Sequence, residues 1–128
     1  MNEDAGSRDL PQVEKQGMQI TQELTDVVVM EVPGPSLDAS NSKKFKNEMA
    51  TIVQSSTKLV FDMSKVQFVD SSGLGAILSC LRQLNAKGGD MKVFGLSKAV
   101  RALFELVRMH KVVEIHNTRE EAVAAFVV

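Results

Sequence analysis

Residues 70 to 75 read Asp-Ser-Ser-Gly-Leu-Gly, preceded by the apolar stretch around Phe68 and Val69 and followed by an amphipathic one. Asp70, Ser71 and Ser72 carry short side chains whose oxygens can accept hydrogen bonds from the first free backbone N–H groups of a helix. Any of the three can be the cap. The same placement stands a serine hydroxyl at the positive end of a helix, where a phosphate ester would meet N–H donors and a favourable dipole. The chemistry on offer is therefore capping, phosphate acceptance, or both. A hydrolase nucleophile is not on offer, because G-x-S-x-G requires glycine two residues before the serine and Asp70 holds that place before Ser72.

Other reactive side chains are more scattered. Asp38 lies in the loop PGPSLDAS, where an aspartate beside Ser40 makes an Asx turn or a helix cap. His110 and His116 have no histidine four residues away and no nearby cysteine, so both read as surface residues and no metal site is expected. Cys80 falls at the edge of an apolar helix face with no adjacent base to make a thiolate, and reads as inert packing. Lys43, Lys44 and Lys46 form a small basic cluster on a solvated face. No Walker A sequence is present, and no G-x-G-x-x-G follows a strand, so no cofactor is expected.

Bulk composition narrows the classes further. At 128 residues the chain fits one domain. Fifteen basic against sixteen acidic residues give a net charge of -1, without the concentrated positive field that nucleic acid requires. Trp and Tyr are absent, so no stacking platform for single strands can be built beyond scattered Phe. The lone cysteine fits a reducing compartment. The longest apolar run is Ala122 to Val128, far short of the roughly 18 residues of a membrane span. MNEDAGSRDL lacks the basic start and apolar core of a secretion signal, so a cytoplasmic protein is expected.

The elements that must hold the serines can be placed coarsely. Residues 1–16 carry six charges without apolar periodicity and predict a flexible tail, leaving 17–128 as the folded domain. Met18–Leu24 and Val27–Val32 suggest a hairpin. After the loop PGPSLDAS a helix is expected from about Ser40 to Gln54, with Phe45, Met49, Ile52 and Val53 on one face. Lys58–Asp62 is apolar on both parities, as a central strand must be. The helix after DSSGLG repeats Leu74, Ile77, Leu78, Leu81 and Leu84 at spacings of three and four, and Lys87-Gly88-Gly89 ends it. A strand at Met91–Leu96, a helix capped by Ser97 with Val100, Leu103, Phe104 and Val107 inward, and a strand at Val112–Ile115 follow. Thr118 to Glu121 match a capping box that opens a last helix burying Val123 and Phe126. Such alternation predicts an α/β fold: a mixed, mostly parallel sheet of four or five strands packed against four helices.

VQFVDSSGLGAIL resembles the defining motif of the STAS-domain anti-sigma-factor antagonists, small bacterial switch proteins. GPSLDAS occupies the place of that family's G-x-L-D-x-x loop, KLVFDMSKV that of its central strand, and GGDMKVFGLSKAVRALFELVRMHKVVEIHNTREEAV follows its C-terminal half. The resemblance thus covers nearly everything after residue 17. It implies that Ser72, the second serine, is the phosphorylation site and that Asp38 is the loop aspartate. It further implies a partner-binding face at Asp38, Asp70, Ser71, Gly73, Leu74 and Gly75. The partners implied are an anti-sigma factor that is also a serine kinase, and a serine phosphatase, with no enzyme activity in the chain itself. Prolines 33 and 35 flank the loop glycine, a departure that stiffens the loop. A STAS module serving as a structural subunit of a lipid or solute transport assembly is the alternative, which the intact DSSGLG disfavours.

Overall fold

The computed structural model of the chain describes residues 19–22 and 26–126, and the predicted tail 1–16 lies outside them. Strand β1 (Gln19–Gln22) pairs antiparallel with β2 (Val28–Glu31), so the expected hairpin is present, Gln19 opposite Glu31 and Gln22 opposite Val28. Helix α1 (Ser42–Ser55) follows a loop that contains the two-residue strand β3 (Ser36–Leu37). Then come β4 (Lys58–Asp62), β5 (Phe68–Val69), α2 (Ser71–Ala86), β6 (Asp90–Phe94), α3 (Lys98–Leu106), a 3-10 turn at Met109–Lys111, β7 (Glu114–His116) and α4 (Arg119–Ala124).

The main sheet has the order β1-β2-β4-β6-β7, with every pair after the first parallel. A two-stranded parallel ladder, β3 with β5, stands apart from it. Strand β4 is central, and its alternate residues serve two layers as its unbroken hydrophobicity requires. Leu59 and Phe61 join the larger core with Phe45, Met49, Ile52 and Val53 of α1, Ile77, Leu81 and Leu84 of α2, and Val100 and Phe104 of α3. Phe45 meets Phe61 edge to face, ring centroids 5.7 Å apart. Val60 points the other way, onto Val27, Val29 and Ala122 beneath α4.

Several sequence expectations shift. The segment PGPSLDAS is not all loop: Ser36 and Leu37 pair with Phe68 and Val69 because the chain doubles back alongside β5. Helix α1 starts at Ser42, since the residues before it are held in a separate turn by side-chain hydrogen bonds. On α2, Leu74 and Leu78 are only half-buried, and the small residues Ala76 and Cys80 sit inward, so Cys80 belongs to the core and not to its edge. Val107 is 46% exposed, because α3 ends at Leu106 and the chain turns through left-handed Arg108. Val112 is exposed as well, the 3-10 turn delaying the last strand to Glu114–His116. Lys87 is the residue after α2 and its ammonium bonds the Val53 carbonyl, tying the two helix ends together. Gly88 (φ +79°) then allows Gly89 N–H to reach back to Leu84 O at 2.8 Å, closing the helix as the Gly-Gly signal implied.

Candidate functional site at the start of helix α2

Asp70 is the cap, and neither serine is. Its backbone is extended (φ −106°, ψ −172°), its Oδ1 accepts from Gly73 N–H at 2.9 Å, and its carbonyl accepts from Leu74 N–H at 3.0 Å. Two of the first helix donors are thereby used. The donors left without a partner among the described residues are the N–H groups of Ser71 and Ser72. This changes the electrostatics expected for a phosphate on Ser72, because the N–H groups of Gly73 and Leu74 are already taken. Ser71 is exposed and Ser72 half-buried, and among the described residues neither hydroxyl has a hydrogen-bond partner. Both are therefore free to react or to meet a partner.

The second oxygen of Asp70 reaches across the chain. Oδ2 accepts from the N–H of Ala39 at 3.1 Å, so one carboxylate clamps the Asp38 loop to the start of α2. The β3–β5 ladder runs directly into this clamp. Pro35 O accepts from the N–H groups of Gln67 and Phe68, and Leu37 O accepts from Asp70 N–H at 3.3 Å. The Leu37 carbonyl then passes over Gly73, where a Cβ would stand 2.2 Å from it. Glycine at 73 is required by that close approach.

Asp38 organises the loop from within. Its Oδ1 accepts from the Ser40 hydroxyl (2.6 Å) and the Ser40 N–H (2.9 Å), and Oδ2 accepts from the Ser36 hydroxyl (2.9 Å). Those bonds, the Ser40 hydroxyl foremost, then the Ser36 hydroxyl and the Ser40 N–H, hold its carboxyl below the ordinary aspartate range against a small opposing effect of burial. Asn41 completes the turn, accepting from Asp38 N–H at 2.9 Å and donating to Ser36 O at 2.8 Å. Sequence reading passed over Asn41 and Ser36. The signal was present in Ser-Leu-Asp-Ala-Ser-Asn, where polar residues that bond their own backbone recur within six positions.

The structure thus brings together Asp38, Asp70, Ser71, Ser72 and Gly73 through named contacts, with Leu74 half-buried on the core and Gly75 exposed one turn into the helix. It leaves the other candidates elsewhere. His116 bonds Glu114 at 3.0 Å at the sheet edge, and His110 is exposed on the 3-10 turn. Among the described residues no cluster of three His, Cys, Asp or Glu could hold a metal ion, and no helix is long and apolar enough to cross a membrane. Burial pushes the Cys80 thiol up to about 12. Glu48 on α1 is a feature the sequence did not announce: it is buried, and among the described residues its Oε2 has no partner. Burial raises its pKa, with Lys44 opposing.

What this arrangement can do is present a serine hydroxyl on a rigid corner: a capped helix, a two-strand ladder and a carboxylate-braced loop. A family model described as the STAS domain matches residues 19–122. The chain is 29% identical over 105 residues to an anti-sigma-B factor antagonist of Listeria monocytogenes, covering 81% of this chain and 91% of that one. It is 30% identical over 98 residues to an anti-sigma F factor antagonist of Paenibacillus polymyxa, covering 75% and 83% respectively. Among solved structures, that of an anti-sigma factor antagonist from Thermotoga maritima, itself described as putative, superposes with a TM-score of 0.79 at 23% identity, over 88% of this chain and 97% of that chain.

Proposed function

The chain belongs to the STAS domain family, and on that premise we propose that it is an anti-sigma factor antagonist that works by partner switching. Unphosphorylated, it binds an anti-sigma factor that is also a serine kinase, and the sigma factor is released. The kinase transfers the γ-phosphoryl of its ATP to the Ser72 hydroxyl, with loss of the hydroxyl proton and release of ADP, and the complex ends. A serine phosphatase hydrolyses the ester and restores the hydroxyl. The chain is a binding module and a substrate in the cytoplasm, with no catalysis of its own.

The observation that supports this reading is the Ser72 hydroxyl, without a hydrogen-bond partner among the described residues, beside a carboxylate that braces two elements at once. Asp38, Asp70, Ser71, Gly73, Leu74 and Gly75 form the partner face around it. A phosphate adds about −1.5 to −2 charges at neutral pH. Asp70 and Asp38 already place negative charge on this corner, and Asp70 already occupies the Gly73 donor. The added charge is therefore poorly absorbed within the domain and is expressed at the interface. A like charge at ~4 Å costs about 4 kcal/mol at an effective dielectric of ~20. A tenfold loss of affinity needs only about 1.4 kcal/mol, so no refolding is required.

Incubation with the cognate kinase and ATP, followed by mass spectrometry, tests the assignment. Label on Ser72 and its absence from Ser72→Ala are expected, with Ser72→Ala still binding the anti-sigma factor. Label on Ser71 or elsewhere, or undiminished binding by the Ser72 phosphoform, overturns it.

A further inference from the structure

We infer that the end of helix α3 and the 3-10 turn after it form a self-complementary contact surface, through which two copies of this chain associate about a two-fold axis. Of the four large apolar side chains exposed among the described residues, three stand here: Leu106 (79%), Val112 (53%) and Val107 (46%). Single exposed apolar residues are ordinary, but three within one short segment make a patch, and such patches mark contact sites. The turn that sets them out is firmly held. Arg108 takes a left-handed backbone (φ +64°), which residues with side chains seldom adopt. Its carbonyl accepts from Lys111 N–H at 3.1 Å, and the Met109 carbonyl accepts from the N–H groups of Val112 and Val113. Met109 itself is buried, so the turn is anchored to the core while Val107 and Val112 stay outside it.

The charges around the patch select its occupant. Glu105 precedes it, Arg108, His110 and Lys111 run through it, and all four are exposed. None of these side chains has a partner among the described residues. Glu114, just beyond, is already held by Lys92 at 3.2 Å and His116 at 3.0 Å. An anionic lipid or nucleic-acid surface is matched by cations alone, and Glu105 opposes it. A rim of both signs around an apolar centre matches a copy of itself, because a two-fold rotation turns the carboxylate of each chain toward the cations of the other. The place in the fold agrees. Helices α2 and α3 each begin where a strand ends and carry the chain back to where the next begins, so α3 ends at the opposite end of the sheet from Ser71 and Ser72. A second copy seated there leaves both serine corners open, at the outer ends of the pair. With three apolar side chains from each copy at its centre the contact is small, and the pair is a transient one.

Sedimentation equilibrium of the full chain, from about 10 μM to about 1 mM, tests this in the range of a transient contact. Wild type is expected to shift from monomer to dimer and no further. Leu106→Gln and Val112→Gln, both at exposed positions, should melt with wild type and raise the dissociation constant at least tenfold. Phe68→Ser, which removes the exposed apolar side chain at the serine end, should dimerise normally. Charge exchange supplies a gain of function. Glu105→Lys leaves a basic rim and Arg108→Asp with Lys111→Glu an acidic one, so each protein alone should stay monomeric while their mixture pairs one to one. A wild type that is monomeric up to 1 mM overturns the inference, as does dimerisation untouched in both glutamine variants. Loss of the dimer in Phe68→Ser, or a charge-exchanged mixture that does not pair, overturns it too. So does flotation of monomeric wild type with phosphatidylglycerol vesicles that Leu106→Gln abolishes, since the patch would then serve a lipid surface.

Discussion

Replacing Gly73 by alanine sets two magnitudes against each other within one residue. In an open helix the change would stabilise by about 1 kcal/mol, because glycine surrenders more backbone freedom on folding. Here the new Cβ would lie 2.2 Å from Leu37 O, 2.9 Å from Leu37 C and 3.0 Å from Val69 Cγ1. Two of those atoms are backbone and have no rotamer to escape into. Leu37 is fixed by its pairing with Val69, and its carbonyl accepts from Asp70 N–H at 3.3 Å. Relief requires β3 to move off β5, so that hydrogen bond is weakened along with the packing. Overpacking costs about 1–3 kcal/mol and a lost hydrogen bond about 1 kcal/mol. After the helix gain is deducted, the expected loss is about 1–3 kcal/mol, or a melting temperature lower by roughly 3–15 °C for a domain of this size. Circular-dichroism melts measure this, and amide exchange locates it: Asp70 and Ala39 should lose protection before the amides of β4. A variant as stable as wild type, with Ala39 still protected, would refute the reasoning, because it would mean that Leu37 does not bear on α2.

Three further outcomes are expected. Asp70→Asn keeps an oxygen for Gly73 N–H but turns an amide donor toward the Ala39 N–H, so stability should fall by about 1–2 kcal/mol. Exchange at Ala39 should quicken while Gly73 stays protected, and equal protection at both would show that the carboxylate clamps nothing. Glu48 has a raised native pKa, so its charged form disfavours folding once the pH exceeds the ordinary glutamate value of 4.5. Glu48→Gln should therefore gain stability over wild type between pH 4 and pH 8, and a difference independent of pH would contradict that. Cys80, buried and with its thiol near 12, should resist iodoacetamide at pH 8 in the folded chain and react fully in denaturant. Rapid labelling of the native protein would remove it from the core.

Helix α2 shows where sequence reading succeeds and where it stops. Its apolar stripe and its Gly-Gly terminus are local, periodic signals, and both correspond to what the chain does. The central strand was legible for the same reason, since Leu59, Val60 and Phe61 carry no polar face at all. Val107 and Val112 continued an apolar pattern past the point where left-handed Arg108 ends it, and periodicity carries no information about that turn. The serine corner was legible as a motif. Its construction was not: the bond from Ala39 N–H to Asp70 joins residues 31 apart, and Leu37 reaches Gly73 only because β3 pairs with β5. Glu48 was hidden by its type, since a glutamate among lysines on a helix reads as solvated until its burial is seen.

The central claim is that this chain relieves inhibition of a sigma factor in a way that phosphate on Ser72 abolishes. Run-off transcription in a purified system measures that directly, with core polymerase, the sigma factor, its anti-sigma factor and a promoter that the sigma factor reads. Transcription should be silent with the anti-sigma factor alone, return in proportion to added unphosphorylated chain, and stay silent when the chain carries phosphate on Ser72. Continued silence on adding the unphosphorylated chain, or equal recovery with the Ser72 phosphoform, would contradict the account.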